Sequence, residues 1–207
     1  MLPEDLSADL GHRARHAIWG GYQGPAEVHR DLLELIEYDP ATEDLVASDR
    51  EGISADLMAL IAAEESRYLA EQAKWPPITD CDSIRAAFER LESLGILARE
   101  NTGYDMSDVR DEMDQLARAA NSSERPVRGW VTFHGQDIER AVDGGGLFLA
   151  YAPIGSDDQE AWRSLGAEIA SSLRAEGLSV DWNESPNRRL HLPEIVWRRR
   201  RGSGDSV

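Results

Sequence analysis

The 207-residue chain has a single cysteine, Cys81, and a single lysine, Lys74, and it lacks any long apolar run. One cysteine excludes an intrachain disulfide and a cysteine-based zinc cluster, and it fits a reducing compartment. The first residues, MLPEDLSADLG, have neither the basic nor the apolar region of a signal peptide, and no segment approaches the length of a membrane span. We therefore expect a cytoplasmic protein that does not associate with membranes.

Basic residues are in short supply: 22 of them stand against 39 acidic residues, for a net charge of −17. The acid is spread along the chain, with 16 acidic and 6 basic residues in 1–79 and 23 and 16 in 80–207. Such a field repels phosphate backbones, which disfavours nucleic acid as a partner, and it attracts basic proteins. An acidic surface that serves only solubility is the alternative interpretation.

The first part of the chain, residues 1–77, is predicted to be a helical segment. A proline in the first turn and one apolar stripe indicate a helix over residues 25–38. A second stripe indicates a helix over residues 54–74, and the Trp-Pro-Pro sequence at 75–77 ends it with a rigid connector.

From residue 78 onward, helical and β-type patterns alternate, which predicts an α+β domain over residues 78–199 with a mixed sheet and packed helices. Asp82 or Ser83 is expected to cap the first helix of this domain. A turn around residues 185–187 is expected to join the last two strands in a hairpin. The predicted strands are 96–100, 130–134, 147–152, 178–182 and 188–192. The tail 200–207 is predicted to be disordered.

The stretch GWVTFHGQDIERAVDGGGLFLAYAP, residues 129–153, contains the best candidate site. His134, Gln136 and Asp137 lie where the first strand ends and a short helix begins. The Asp137 carboxylate could orient the His134 imidazole as a general base, so both are candidate catalytic residues, although no nucleophile motif accompanies them. The spacing favours the structural alternative, in which Asp137 is the helix N-cap and His134 bonds a neighbouring strand or loop.

The triple glycine, Gly144–Gly146, is predicted to be a turn that ends this helix. A phosphate-binding loop runs from a strand to a helix, whereas these glycines follow a helix and precede a strand.

If Leu190 and Leu192 face the core, strand alternation places Arg189 and His191 together on the opposite face of the last strand. With Gln136 and Arg140 they are candidate ligand-binding residues, and a solvated sheet face is the other interpretation. A metal site of two histidines and one carboxylate would need His134 and His191 to lie together, and nothing in the sequence spacing requires this. We therefore predict no metal site and no cofactor.

The run Arg198–Arg201 offers at most weak contact with nucleic acid, or it folds back onto the chain's own acidic surface. The tryptophans are predicted to fill the core rather than a ligand site; they are Trp130, Trp162, Trp182 and Trp197.

Four stretches, residues 75–82, 87–103, 129–152 and 177–199, resemble a family of bacterial proteins of unknown function. The string HGQD…GGGL…AY is the most specific part of the resemblance, which extends more weakly to the helical N-terminus. The family has no established activity, so the resemblance implies a fold boundary and not a reaction. Some members of the family it resembles carry a cysteine cluster where this chain has NTGYDMSD, residues 101–108, so a metal site built on such a cluster is not expected here.

Two hypotheses follow, and whether the chain is an enzyme stays open. The first is a non-enzymatic acidic protein-interaction module, of a regulatory or immunity type, with a basic protein as partner. The second is a small enzyme or ligand-binding domain centred on His134, Gln136 and Asp137, with Arg140, Arg189 and His191 as ligand contacts. The oligomeric state is not predicted.

Overall fold

The computed structural model describes residues 2–121, 127–156 and 158–201. Contacts group the chain into two units, a helical unit of Met1–Pro76 with Arg198–Val207, and an α+β unit of Pro77–Trp197. Residues 202–207 of the predicted tail lie outside the described residues. No helix in the described part of the chain combines the length and apolar character needed to cross a membrane.

The helical unit contains α1 (Glu4–Gly20), α2 (Pro25–Glu37), α3 (Glu43–Ser48) and α4 (Arg50–Gln72). Pro25 occupies the first turn of α2, as predicted, and the stripe of α2 is buried except at Leu35, which is 44% exposed. Helix α4 begins four residues before the predicted start because the Asp49 side chain accepts the Gly52 N–H and caps it.

The C-terminal arginines lie against this helical unit. Tyr68, on α4, is fully buried and donates its hydroxyl hydrogen to the Arg199 carbonyl at 2.7 Å. Arg201 contacts both carboxylate oxygens of Glu65, at 2.9 and 2.6 Å, and Arg200 donates to the Pro76 carbonyl. The arginine run therefore folds back onto the chain.

The α+β unit has four strands in the order β1-β2-β3-β4. Strand β1 is parallel to β2, whereas β2–β3 and β3–β4 are antiparallel, so the predicted α+β class with a mixed sheet is confirmed. The elements are α5 (Asp80–Ser93), β1 (Ile96–Arg99), α6 (Met106–Asn121), β2 (Gly129–Thr132), α7 (Gly135–Val142), β3 (Leu147–Pro153), α8 (Gln159–Ala175) and β4 (Leu190–Leu192).

Helix α6 packs on one face of the sheet through Val109 and Met113, which lie in an apolar cluster with Trp130 and Ala150. The alternate residue of β3, Tyr151, contacts the Trp162 ring of α8 at 5.6 Å between centroids. The sheet is therefore covered by helices on both faces, and strand alternation decides which residues face α6.

The prediction of a terminal hairpin is wrong for the first of its two strands, residues 178–182. Only β4 is a strand, and it pairs with β3, while the segment 178–182 contributes a single bridge between Asp181 and His191. The intervening loop is held open because the Trp182 indole donates to the Ser185 and Arg188 carbonyls. Those carbonyls are then directed at the indole rather than at an opposing strand.

Candidate functional site

His134 caps helix α7 and fixes the polar junction between β2 and α7. Its backbone is extended, with φ −116°, and its Nδ1 accepts the Asp137 N–H at 3.3 Å. The Asp137 carboxylate in turn accepts the His134 N–H at 3.5 Å. The sequence predicted Asp137 as the N-cap; the structure gives that position to His134, because Asp137 lies three residues later and completes a capping box.

The His134 and Asp137 side chains form a buried pair, with the residues 3% and 2% exposed. Nε2 of His134 lies 3.1 Å from Oδ2 of Asp137. Since Nδ1 accepts a hydrogen bond, the neutral ring carries its proton on Nε2, which lies between the Asp137 carboxylate and Nη1 of Arg189, 3.3 Å from the latter. In this tautomer neither ring nitrogen has a free lone pair, which argues against a general-base role for His134; that role stays a prediction.

Arg189 completes this cluster from 52 residues further along the chain. Its Nη1 donates to the two Asp137 oxygens at 3.1 and 3.0 Å, and its guanidinium lies 4.8 Å from the centre of the Phe148 ring. Nε and Nη2 donate to no group within the described residues, and the side chain is 34% exposed. Arg189 is therefore anchored through one nitrogen and presents two others outward.

The pKa values of the buried pair shift in opposite directions. Burial lowers the pKa of His134, and the Arg189 charge lowers it further, although Asp137 opposes both effects. Burial raises the pKa of Asp137, while the charges of Arg189 and His134 oppose that rise. The neutral imidazole and the ion pair of Asp137 with Arg189 thus support each other at neutral pH.

An open depression of about 400 Å³ lies beside this cluster. It brings together five of the six predicted site residues: His134, Gln136, Asp137, Arg140 and Arg189. Asp105, Met106 and Ser107 complete its lining.

His191, the sixth predicted site residue, does not line the depression. Its ring is stacked on Phe148, with 4.2 Å between centroids, and its Nε2 is buried with no hydrogen-bond partner among the described residues. Gly146 lies so close that a Cβ there would be 2.4 Å from this nitrogen. His191 therefore packs in the sheet outside the depression, and its assignment as a ligand contact stays a prediction.

A larger groove of about 610 Å³ adjoins the depression and shares Met106 and Arg189 with it. Arg110 and Arg118 of α6 line it, and so does Arg188. Among the described residues that line this groove, four are arginines and none is acidic. That composition is unexpected in a chain whose net charge is −17.

The sequence reasoning missed this groove. Trp130 is buried, as predicted, but Trp162 is half-exposed and lines the groove with it. One signal was present: Arg110 and Arg118 are eight residues apart on one helix, which places them on the same face. Nothing in the sequence indicated that this face borders a cavity.

A family model described as a domain of unknown function, DUF6891, matches residues 3–201. The chain belongs to the DUF6891 family. This match spans the helical segment as well as the α+β unit, and is therefore wider than the stretches that carried the resemblance. No curated protein and no solved structure matches this DUF6891 chain. The family's description names no activity, so a function for DUF6891 has to come from the site itself.

Proposed function

We propose that the α+β unit is a ligand-binding module whose groove receives an anionic ligand. The observation that carries this proposal is the four arginines, with no acidic residue, among the described residues that line the groove. Arg188 and Arg189 are ion-paired with Asp181 and Asp137, whereas Arg110 and Arg118 make no ion pair within the described part of the chain, so the charges of these two are available to a ligand. A local positive field of this kind selects anions even in an acidic protein.

Arg189 is the central contact of the proposed site, because it lines both the depression and the groove. Asp137 and Phe148 hold its guanidinium in place before any ligand arrives. A fixed guanidinium loses little side-chain entropy on binding, and its two outward nitrogens match the two oxygens of a carboxylate or phosphate.

The same geometry supports positioning rather than catalytic roles for His134 and Asp137. His134 is engaged at both ring nitrogens, and Asp137 is almost fully buried beneath Arg189. In this arrangement the pair orients Arg189, and Gln136 and Arg140 supply further polar contacts at the rim. This proposal develops the ligand-binding alternative and not the enzymatic one.

Calorimetric titration with citrate and with inorganic pyrophosphate tests the proposal. The wild-type chain is expected to bind at least one of these anions, and Arg118→Gln is expected to weaken binding about tenfold through loss of one charged contact. Arg90→Gln is the matched control, because Arg90 is exposed on α5 and lines neither cavity. Failure of both anions to bind, or an equal loss in the two variants, would contradict the proposal.

A second candidate function is binding of a basic protein by the helical unit. One observation favours it: this unit already holds arginines, with Arg201 on Glu65 and the Arg199 guanidinium 3.8 Å from the centre of the Tyr22 ring. A pull-down at low and high salt tests it. A stoichiometric basic partner that is released by salt supports this function, whereas no partner at either salt contradicts it.

A further inference from the structure

Strand β3 extends beyond one of its two neighbours. Residues 150–153 pair with β2, whereas β4 pairs only with residues 147–149. The last four residues of β3 therefore have a neighbouring strand on one side only. Their other edge opens into the groove, which these same residues line.

The hydrogen bonds of β3 show which backbone groups point to this open edge. Ile154 donates its N–H to the Arg128 carbonyl at 3.0 Å, in register with the β2–β3 pairing. In an antiparallel ladder, alternate residues turn their N–H and C=O groups to the same side. Residues 152 and 150 therefore face β2, and Tyr151 turns its amide and carbonyl toward the groove.

No backbone group in the described part of the chain pairs with the Tyr151 amide. Continuing the β3–β4 register places Arg188 opposite it, but Arg188 is engaged elsewhere. Its N–H donates to the Ser185 carbonyl at 3.2 Å, and its own carbonyl accepts from the Trp182 indole at 3.2 Å. An unpaired edge of this kind is a template for another extended backbone.

The walls of the groove suit an extended and negatively charged occupant. Ala150 and Ala152 project from β3 toward α6 and leave space beside Trp130 because their side chains are small. Arg110 and Arg118 stand on the α6 wall of this space. Backbone pairing is thus available at the edge, and opposite charge is available above it.

We infer that the ligand of this groove is an acidic peptide segment that adds to the edge of β3 at Tyr151. The inference rests on the proposed function and specifies its ligand class. The peptide backbone pairs with the Tyr151 amide and carbonyl, its carboxylates contact Arg110, Arg118 and Arg189, and its alternate side chains rest on the two alanines. A small anion would contact the arginines but would leave the edge of β3 unpaired.

Fluorescence polarisation with labelled hexapeptides of alternating Glu and Val, Glu and Leu, or Glu and Ser tests the inference on the full chain. Each peptide is compared with a version N-methylated at its two central residues, which keeps the charge but removes backbone donors. The unmodified acidic peptide is expected to bind, at least tenfold more tightly than its methylated version. Arg118→Gln is expected to weaken peptide binding, and Arg90→Gln is expected to leave it unchanged.

The outcomes separate this inference from the proposed function. Citrate or pyrophosphate binding without peptide binding, or equal binding of methylated and unmodified peptides, overturns the peptide and leaves the anion site. Absence of both peptide and anion binding overturns both. Competition between citrate and the bound peptide, lost in Arg118→Gln, supports both at one site.

Discussion

Gly146 has φ +79°, a conformation that residues with a side chain rarely adopt, and it lies against the His191 ring. A Cβ at this position would be 2.4 Å from Nε2 of His191 and 2.9 Å from the Leu192 carbonyl oxygen. We predict that Gly146→Ala lowers the free energy of unfolding by about 3 kcal/mol or more, since backbone strain and overlap with β4 act together. Urea unfolding followed by tryptophan fluorescence measures the loss.

Gly144 provides the matched control, because it has the same positive φ, +78°, but no atom within 4 Å of an added Cβ. Gly144→Ala should cost about 1 kcal/mol, from backbone conformation alone. Equal losses in the two variants would show that the contact of Gly146 with His191 and β4 contributes nothing.

His134 gives the fold a pH dependence of predictable sign. Burial lowers its pKa below the ordinary value of 6.5, so its contribution to stability is complete above that value and is lost as the pH falls through the lower, folded value. The raised pKa of Asp137 acts with the opposite sign, so a comparison isolates His134: we predict that the wild type loses more stability than His134→Asn between about pH 7.5 and about pH 5.5. Urea midpoints at the two pH values measure it.

Asparagine is the informative replacement because it still accepts a hydrogen bond as a helix N-cap, while it does not titrate. His134→Ala also removes the cap, and should cost about 1 kcal/mol more than His134→Asn at about pH 7.5. If His134→Asn keeps the full pH dependence of the wild type, the protonation of another group is responsible.

The local sequence pattern identified His134, Asp137 and Arg189 as candidate site residues, but it did not predict their roles. The strand-to-helix junction identified His134 and Asp137, and strand alternation identified Arg189. The capping role of His134 could not be read from the sequence, because cap preferences favour Asp over His. The anchoring of Arg189 on Asp137 depends on a contact between residues 52 positions apart.

At the scale of elements, the first turn of α5 depends on Thr79 and not on the predicted caps, Asp82 or Ser83. The Thr79 hydroxyl accepts the Asp82 N–H at 3.4 Å, and the Asp82 carboxylate accepts the Thr79 N–H at 2.8 Å. We predict that Thr79→Ala lowers the free energy of unfolding by about 1 kcal/mol, through loss of one half of this capping box. Thermal unfolding followed by far-ultraviolet ellipticity detects the change.

Ser83→Ala is the control for this helix, because Ser83 is the sequence-predicted cap that the structure leaves inside the first turn. Its effect should stay within about 0.5 kcal/mol. A larger loss in Ser83→Ala than in Thr79→Ala would return the capping role to Ser83.

Helices were predicted better than strand pairing, for a physical reason. The limits of α2 follow from Pro25 and an apolar stripe, which are features of neighbouring residues. The pairing partner of β4 does not follow from neighbouring residues, because β3 precedes β4 by about 40 residues. The segment 178–182 has an equally suitable pattern and was therefore an equally plausible partner. The open edge of β3 follows from that pairing, so it could not be predicted either.

At the scale of the whole molecule, a net charge of −17 describes a sum and not a distribution. The composition favoured a basic partner, whereas the folded α+β unit gathers Arg110, Arg118, Arg188 and Arg189 around one groove. Tertiary contacts between α6, β3 and the loop before β4 create this arrangement. Net charge therefore predicts long-range attraction and leaves the preference of a local site undetermined.

The end of the chain stabilises its beginning through Arg199. This residue is only 8% exposed, and its Nη1 donates to the Gly21 carbonyl at 3.0 Å while its guanidinium covers the Tyr22 ring. Removing a buried charged donor leaves that carbonyl unpaired and exposes the ring. We predict that Arg199→Ala lowers the free energy of unfolding of the helical unit by about 2 kcal/mol, as measured by urea unfolding with far-ultraviolet ellipticity.

Arg198→Ala is the matched control, because it removes the neighbouring charge without touching the contacts to Gly21 and Tyr22. Its effect should be within about 0.5 kcal/mol, so the difference between the variants isolates the buried contacts from net charge. Equal and small effects would mean that the contacts of Arg199 with Gly21 and Tyr22 do not stabilise the helical unit. A loss confined to Arg199→Ala would make residues more than 170 positions apart part of one stabilising contact, since the Arg199–Gly21 bond spans 178 positions.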